Sequence, residues 1–252
     1  MLTRAILRRP GPDFAAGLTT SALGAPALST MLAQHAAYAG ALARLGLQIE
    51  LLDPLPGFPD AYFVEDVAVI VPELAIVTRP GAPSRRGEAG EINFVLARHR
   101  PVANVTGDAT LEGGDVLVLG KRVWVGLSSR TNQQGASQLR RLLEPHGYEV
   151  RTEEVPGGLH FKSSVTHLGE GRMLTTEAFA DLPALADCER VVVEPGEEFA
   201  ANCLFVNGTL LVPAGAPKTR RKLDALGLPI VELDVSEARK MDGGLTCMSL
   251  RL

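Results

Sequence analysis

Cys203-Leu204-Phe205-Val206-Asn207-Gly208-Thr209-Leu210-Leu211-Val212 (residues 203–212) reads as two short apolar strands, 203–206 and 209–212, folded about Asn-Gly. Asn-Gly is the strongest short hairpin signal, because the favoured two-residue turn needs positive φ at both central positions. Downstream, residues 216–226 read as a helix and residues 229–233 as a strand. The same succession stands three times upstream. Strands at 67–71 and 74–78 flank Pro72-Glu73 and precede a helix over 88–98 and a strand at 102–105. Strands at 115–119 and 122–127 flank Gly120-Lys121 and precede a helix over 134–146 and a strand at 148–151. Strands at 163–168 and 173–176 flank Gly169-Glu170-Gly171 and precede a helix over 178–186 and a strand at 190–193.

Architecture repeats here, not letters: hairpin, helix, strand. The turns at Pro72, Gly120, Glu170 and Gly208 imply that the next hairpin falls where the chain ends. Residues 245–252 read as its first strand. Leu2–Leu7 supply its second, and a helix over 28–45 with a strand at 47–52 complete the unit. The helix rests on a near-3.6 period of Leu28, Met31, Leu32, Tyr38, Leu42 and Leu45, stopped by Gly46. The expectation is an α/β fold of five ββαβ-like units, one domain over 1–252, with the two chain ends paired. Ring closure is expected to remove exposed sheet edges. An ordinary α+β or doubly wound domain is the plainer alternative.

Composition sets outer bounds. The chain has 252 residues, 46% hydrophobic and 21% charged, in the range of soluble globular proteins. A net charge of −4 speaks against a nucleic-acid partner, which usually meets a basic face. No apolar run approaches the ~20 residues of a membrane span. Residues 1–10 carry arginines but no signal-peptide apolar core. Three cysteines, Cys188, Cys203 and Cys247, form neither a metal knuckle nor a disulfide framework, which points to a reducing, cytoplasmic compartment.

Just ahead of the first strand of each hairpin stands a residue able to do chemistry. These are Asp66, Glu112 in Leu-Glu-Gly-Gly-Asp, His160 in Gly-Gly-Leu-His, Asn202, and Cys247 in Asp-Gly-Gly-Leu-Thr-Cys, the last where turn becomes strand. Equivalent positions of a closed ring point toward one axis, so a thiol, an imidazole and carboxylates should meet in one pocket. A thiol beside an imidazole is a nucleophile with a proton shuttle. Carboxylates beside a thiolate raise its pKa, and they make sense if the substrate itself is a cation. A guanidinium presents forked N–H donors that paired carboxylates match. Plainer readings stand beside these. Asp60 and Asp66 can cap turns, His160 can be a core histidine, Glu112 and Asp115 can solvate a turn, and Cys247 can be a small buried hydrophobe. His35, His99, His146 and His167 read as structural, Cys203 as core and Cys188 as incidental.

Seven stretches in order (FPDAYFVEDVAV at 58–69, SRRGE at 84–88, LEGGDVL at 111–117, RTN at 130–132, LHFKSSV at 159–165, the run from NCLFVNG at 202, and KMDGGLTCMS at 240–249) resemble the dimethylarginine dimethylaminohydrolase family. That family belongs to the guanidino-group-modifying superfamily with the five-bladed α/β-propeller, or pentein, fold. The resemblance implies Cys247 as nucleophile, His160 as general acid/base and Glu112 as its supporting acid. It implies Asp60, Asp66 and the adjacent Glu65 as guanidinium-binding carboxylates, Phe63 packing beside them, and Arg85 and Arg130 on the substrate carboxylate. Leu18 and Met241 are implied to contact the α-amino end through backbone. The implied reaction converts N-omega-methylated arginines to citrulline and dimethylamine or methylamine through a covalent thiouronium on Cys247. It needs no metal or organic cofactor, although a thiolate beside a histidine can bind inhibitory zinc. A homodimer is compatible with the resemblance. Deimination of free arginine or another guanidino compound, and a non-catalytic cation-binding propeller, remain open at this point.

Overall fold

The computed structural model describes residues 1–252. In chain order its elements are β1 (Arg4–Arg8), α1 (Leu28–Arg44), β2 (Gln48–Leu52), β3 (Ala68–Ile70), β4 (Ala75–Val77), α2 (Glu88–Ala97), β5 (Val102–Asn104), β6 (Val116–Leu119), β7 (Arg122–Leu127), α3 (Gln133–Leu143), β8 (Glu149–Glu154), β9 (Val165–Gly169), β10 (Arg172–Thr175), β11 (Glu189–Val192), β12 (Leu204–Val206), β13 (Thr209–Pro213), α4 (Pro217–Asp224), β14 (Ile230–Leu233), α5 (Ser236–Arg239) and β15 (Leu250–Arg251).

The strands form five three-stranded sheets: β3-β4-β5, β6-β7-β8, β9-β10-β11, β12-β13-β14 and β15-β1-β2. In each, the central strand pairs antiparallel with its hairpin partner and parallel with the strand that returns through the crossover. The fifth sheet joins the two chain ends as the repeat required, with Ala5 opposite Arg251 and Ile6 opposite Leu250. Local sequence explains the turns. Asn207 (φ 47°) and Gly208 (φ 88°) adopt the left-handed pair that the Asn-Gly hairpin needs. α3 is capped by Asn132, whose Oδ1 accepts from the Gly135 N–H at 2.9 Å, and α4 starts on Pro217, which has no N–H to leave unpaired.

Five apolar clusters fill the five gaps between neighbouring sheets. Val69, Val71 and Ile76 meet Val116, Val123 and Val125. Leu117 and Trp124 meet Phe161, Val165 and Met173. Leu168 and Leu174 meet Cys203, Leu210 and Val212. Leu204 and Leu211 meet Leu7, Tyr38 and Leu42. Ile6 and Leu250 meet Val67, Ala75 and Val77. The ring is thus closed by side-chain packing between blades and by the β1–β15 pairing inside one blade.

Three expectations are corrected. The sheets stay separate with three strands each, so closure does not remove their edges. Residues 178–186 are not a helix but two 3-10 turns, Glu177–Phe179 and Pro183–Leu185. Pro183 forces Leu182 into extended backbone (ψ 120°), which stops any α-helix there. Residues 245–252 form a strand only at Leu250–Arg251. Ahead of it the chain is bent by tertiary hydrogen bonds: Glu65 N–H donates to the Cys247 carbonyl at 3.0 Å, and Thr246 N–H to Asn202 Oδ1 at 2.9 Å.

Candidate active site

The segments leading into β3, β6, β9, β12 and β15 converge at one end of the ring axis. Those before β3, β9 and β15, with the loop after β1, line one pocket that includes Asp60, Phe63, Asp66, His160, Met241 and Cys247, while Glu112 and Asn202, ahead of β6 and β12, touch His160 and Cys247 from behind it. Its free volume is about 20 Å³, room for a water and not for an amino acid. A ligand must therefore push aside the groups that close it. Leu18, at the mouth, donates its N–H to both carboxylate oxygens of Asp60 at 3.1 Å, and Thr20 N–H and Oγ1 donate to Asp242.

Cys247 sits among neutral donors and negative charge. Asn202 Nδ2 lies 3.8 Å from Sγ and Thr246 Oγ1 4.0 Å from it. Burial pushes the thiol up to about 12, helped by the charges of Glu65 and Asp66. The unliganded site thus holds a thiol at neutral pH, and a cation brought close to the sulfur would lower its pKa.

His160 Nε2 is 2.6 Å from Glu112 Oε2 and 3.9 Å from Asp66 Oδ1. Burial pushes the imidazole pKa down, but the charge of Asp66, the hydrogen bond to Glu112 and the charge of Asp115 outweigh it and raise it to about 9. Burial likewise pushes Glu112 up, yet His160, Arg85 and Arg130 bring it down to about 2. The pair is an imidazolium–carboxylate near neutral pH. Glu112 is held by its other oxygen, which accepts from Gly81 N–H at 3.0 Å and lies 3.5 Å from Arg130 Nη1. Gly114 is needed beside the ring: a Cβ there would stand 2.8 Å from His160 Nδ1 and 2.7 Å from Asp66 Oδ1.

Two carboxylates face the pocket in different states of engagement. Asp66 accepts from Gly114 N–H at 3.1 Å and from Arg85 Nη1 at 2.6 Å. Asp60 is raised above the usual carboxylate range by burial, opposed by the Leu18 N–H and by Arg85. Phe63 lines the same pocket and packs at a 38° tilt against Tyr62, with ring centroids 4.0 Å apart. Asp66, Glu112 and His160 also bring ligand atoms within 4.8 Å of one another, although an ion bound by His160 Nε2 would have to break the His160–Glu112 bond.

A family model described as arginine deiminase matches residues 24–170. Over the whole of both chains, the protein is 41% identical to N(G),N(G)-dimethylarginine dimethylaminohydrolase of Pseudomonas aeruginosa. The chain belongs to the dimethylarginine dimethylaminohydrolase family. The family member of Streptomyces coelicolor is 39% identical over 99% of this chain and 96% of its own. The solved dimethylarginine dimethylaminohydrolase of P. aeruginosa, a cysteine-to-serine mutant complexed with citrulline, superposes with a TM-score of 0.98 at 39% identity, covering 100% of both chains. The N-terminal domain of ArgZ, an arginine dihydrolase from Cyanobacteria, superposes at 0.89 over 98% of this chain and 97% of its own. At 19% identity that likeness establishes the fold alone. The five-bladed α/β-propeller expected from the repeat is the fold of this dimethylarginine dimethylaminohydrolase family member.

Of the residues singled out from sequence in this family member, Cys247, Asp60, Phe63, Asp66, His160, Arg130, Leu18 and Met241 all line the pocket. Glu112 supports it from behind His160. Two placements differ from expectation. Glu65 turns away to the opposite side of the axis, where its Oε1 accepts from Lys162 at 2.7 Å and Arg251 at 2.8 Å, so it is not among the pocket carboxylates. Neighbours in sequence point to opposite sides here, and Asp66 takes the pocket side. Arg85 reaches the pocket wall, but its guanidinium already donates to Asp66, to both oxygens of Glu88 and to the carbonyls of Phe63 and Asp60. It locks Asp66 in place rather than waiting free for a carboxylate. The plainer reading of Asp115 as a solvated turn residue also fails. It is fully buried, accepting from Ser128 Oγ at 2.7 Å, Thr131 Oγ1 at 2.6 Å and the Phe161 N–H at 2.9 Å, and so anchors the residue after His160. Glu88 went unnoticed in the sequence. Its position three residues after Arg85, at the start of a helix, is the signal that pointed to it.

Proposed function

We propose that this chain hydrolyses N-omega-methylated arginines to citrulline and methylamine or dimethylamine, by way of a covalent adduct on Cys247. The observation that carries the reading is the meeting of Cys247, the His160–Glu112 pair and two carboxylates, Asp60 and Asp66, in one closed pocket. The P. aeruginosa relative complexed with citrulline and a solved dimethylarginine dimethylaminohydrolase that forms an adduct with S-methyl-L-thiocitrulline support the same chemistry.

The steps follow from the charges. Asp60 and Asp66 hold the guanidinium, which displaces the Leu18 N–H from Asp60. The bound cation offsets the field of the carboxylates, and the Cys247 proton leaves to solvent. Thiolate sulfur attacks the guanidinium carbon. His160, already protonated, gives its proton to the methylated nitrogen, and the C–N bond to that amine breaks. A cationic S-alkylthiouronium remains on Cys247 beside a neutral imidazole. His160 then takes a proton from water as its oxygen adds to the same carbon. Breaking of the C–S bond, with loss of a proton, returns thiolate and citrulline. Arg130, partly exposed at the mouth, is the cation placed to receive the substrate carboxylate. The reducing cytoplasm is the compartment that suits three unpaired cysteines.

The test is product identification with asymmetric dimethylarginine, monomethylarginine, arginine and agmatine, assaying ureido product and released amine. Citrulline with dimethylamine is expected, and loss of turnover in Cys247→Ser. Ammonia and citrulline from arginine alone would move the chain to the deiminases. Absence of any product would leave a cation-binding propeller.

A further inference from the structure

On the face of the ring opposite the pocket, between β3, β6 and β15, lies a second cavity of about 240 Å³ that shares no lining residue with the first. Its walls are apolar, among them Val69, Leu117, Val118 and Leu250. Its floor holds three charged groups: Glu65, Lys162 and Arg251. Both cations rest on one carboxylate oxygen of Glu65, so the floor carries one positive charge in excess. Lys162 Nζ donates to Glu65 Oε1 at 2.7 Å and to no other protein group, which leaves two of its N–H donors for a ligand. The floor is also the back wall of the nucleophile, since the Glu65 N–H donates to the Cys247 carbonyl.

We propose that this back cavity binds a small aliphatic monocarboxylate. Its carboxylate pairs with Lys162 and Arg251, and its chain lies against Val69, Leu117 and Val118. The excess positive charge selects an anion over a cation or a neutral alkane. The volume exceeds the ~150 Å³ that suffices for benzene in an apolar cavity, so a chain of about six carbons fits. The reaction's own substrate is excluded by its positive charge.

The experiment is calorimetric titration of the full chain with hexanoate, and with hexylammonium as the charge-reversed control, at low ionic strength. Saturable one-to-one binding of hexanoate and none of hexylammonium is expected. Lys162→Met should weaken hexanoate at least tenfold, and Val118→Trp, which fills the mouth from a half-buried position, should abolish it, both variants keeping the wild-type circular dichroism. Val118 touches neither the Cys247 pocket nor the Glu65 back wall, so Val118→Trp should retain turnover. No saturable hexanoate binding, equal binding of hexylammonium, or hexanoate binding unchanged in either variant would overturn the proposal. The readout needs no catalysis, so this result stands apart from the fate of the methylarginine reading.

Discussion

His160 Nε2 stands 2.6 Å from Glu112 Oε2, in a site where the histidine side chain is 6% exposed and that of the glutamate fully buried. That contact favours the charged form of both. With the charges of Asp66 and Asp115 it raises the histidine to about 9, and with those of Arg85 and Arg130 it depresses the glutamate to about 2, each against its own burial penalty. The stability it brings therefore has a defined pH window. The histidine part is fully present below its unfolded pKa of ~6.5 and is lost as pH rises through about 9. The glutamate part is present above ~4.3 and is lost as pH falls through about 2. Glu112→Gln should cost ~3–5 kcal/mol, with the difference from wild type largest between pH ~4.5 and ~6.5. Urea unfolding across pH 3–10 measures it; a difference that does not vary with pH would remove the ion pair from the account.

The same variant should shift catalysis. Without the Glu112 charge the histidine pKa falls, so the acidic form that protonates the leaving amine is lost at lower pH. The basic limb of the kcat profile should move down by at least one pH unit in Glu112→Gln. An unmoved limb would mean that another group supplies the proton.

The resting thiol predicts a reagent preference. Because Cys247 is pushed to about 12 by burial and by Glu65 and Asp66, a neutral alkylator should meet almost no thiolate at pH 7.5. A cationic amidine of equal leaving group should bind Asp60 and Asp66 and react on the order of 10²-fold faster or more, since one charge-assisted contact alone contributes ~1.5–3 kcal/mol. Chloroacetamidine against chloroacetamide, followed by mass spectrometry of Cys247, decides it. Equal rates would place the thiol outside the field of those carboxylates.

Arg130 is more accessible than Arg85 and makes one long ionic contact, 3.5 Å to Glu112. Arg130→Ala should raise KM for a substrate with a free α-carboxylate by about tenfold or more, and should leave an agmatine-like substrate nearly unaffected. Equal effects on both substrates would show that Arg130 acts through Glu112 alone.

Gly113 carries a packing constraint rather than a chemical one. A Cβ there would stand 2.0 Å from the Glu65 carbonyl oxygen and 2.7 Å from that of Ala68, both backbone atoms. Gly113→Ala should lower stability by ~1–3 kcal/mol or more, because two blades would have to separate where the catalytic segments cross. A thermal melt of the variant checks this, and an unchanged midpoint would contradict the close approach.

The sequence alone carried the repeat. Alternating apolar strands around Asn207-Gly208, Gly120 and Glu170, each followed by a helical stretch and a strand, are local signals. Local signals are what backbone preference and side-chain periodicity encode. Counting units placed β1 beside the last strand, and placing Asp66, Glu112, His160, Asn202 and Cys247 at equivalent positions brought them to one axis before any coordinates. Local signals also failed locally. The stretch at 178–186 has helical composition, but Pro183 removes a donor and fixes the preceding residue extended.

What only the tertiary structure decided is which side of the axis a side chain faces and with whom it pairs. Glu65 and Asp66 are adjacent carboxylates with indistinguishable local signals, yet one joins Lys162 and Arg251 and the other Arg85 and the pocket. Arg85 and Arg130 look alike in sequence, but Glu88 and two carbonyls consume most donors of the first, while the second stays at the mouth. A buried charge must find its partners wherever the fold brings them, and those partners come from residues 3 to 186 positions away. Sequence spacing fixes which residues approach the axis; the desolvated pairing among them is settled only when all five blades are packed.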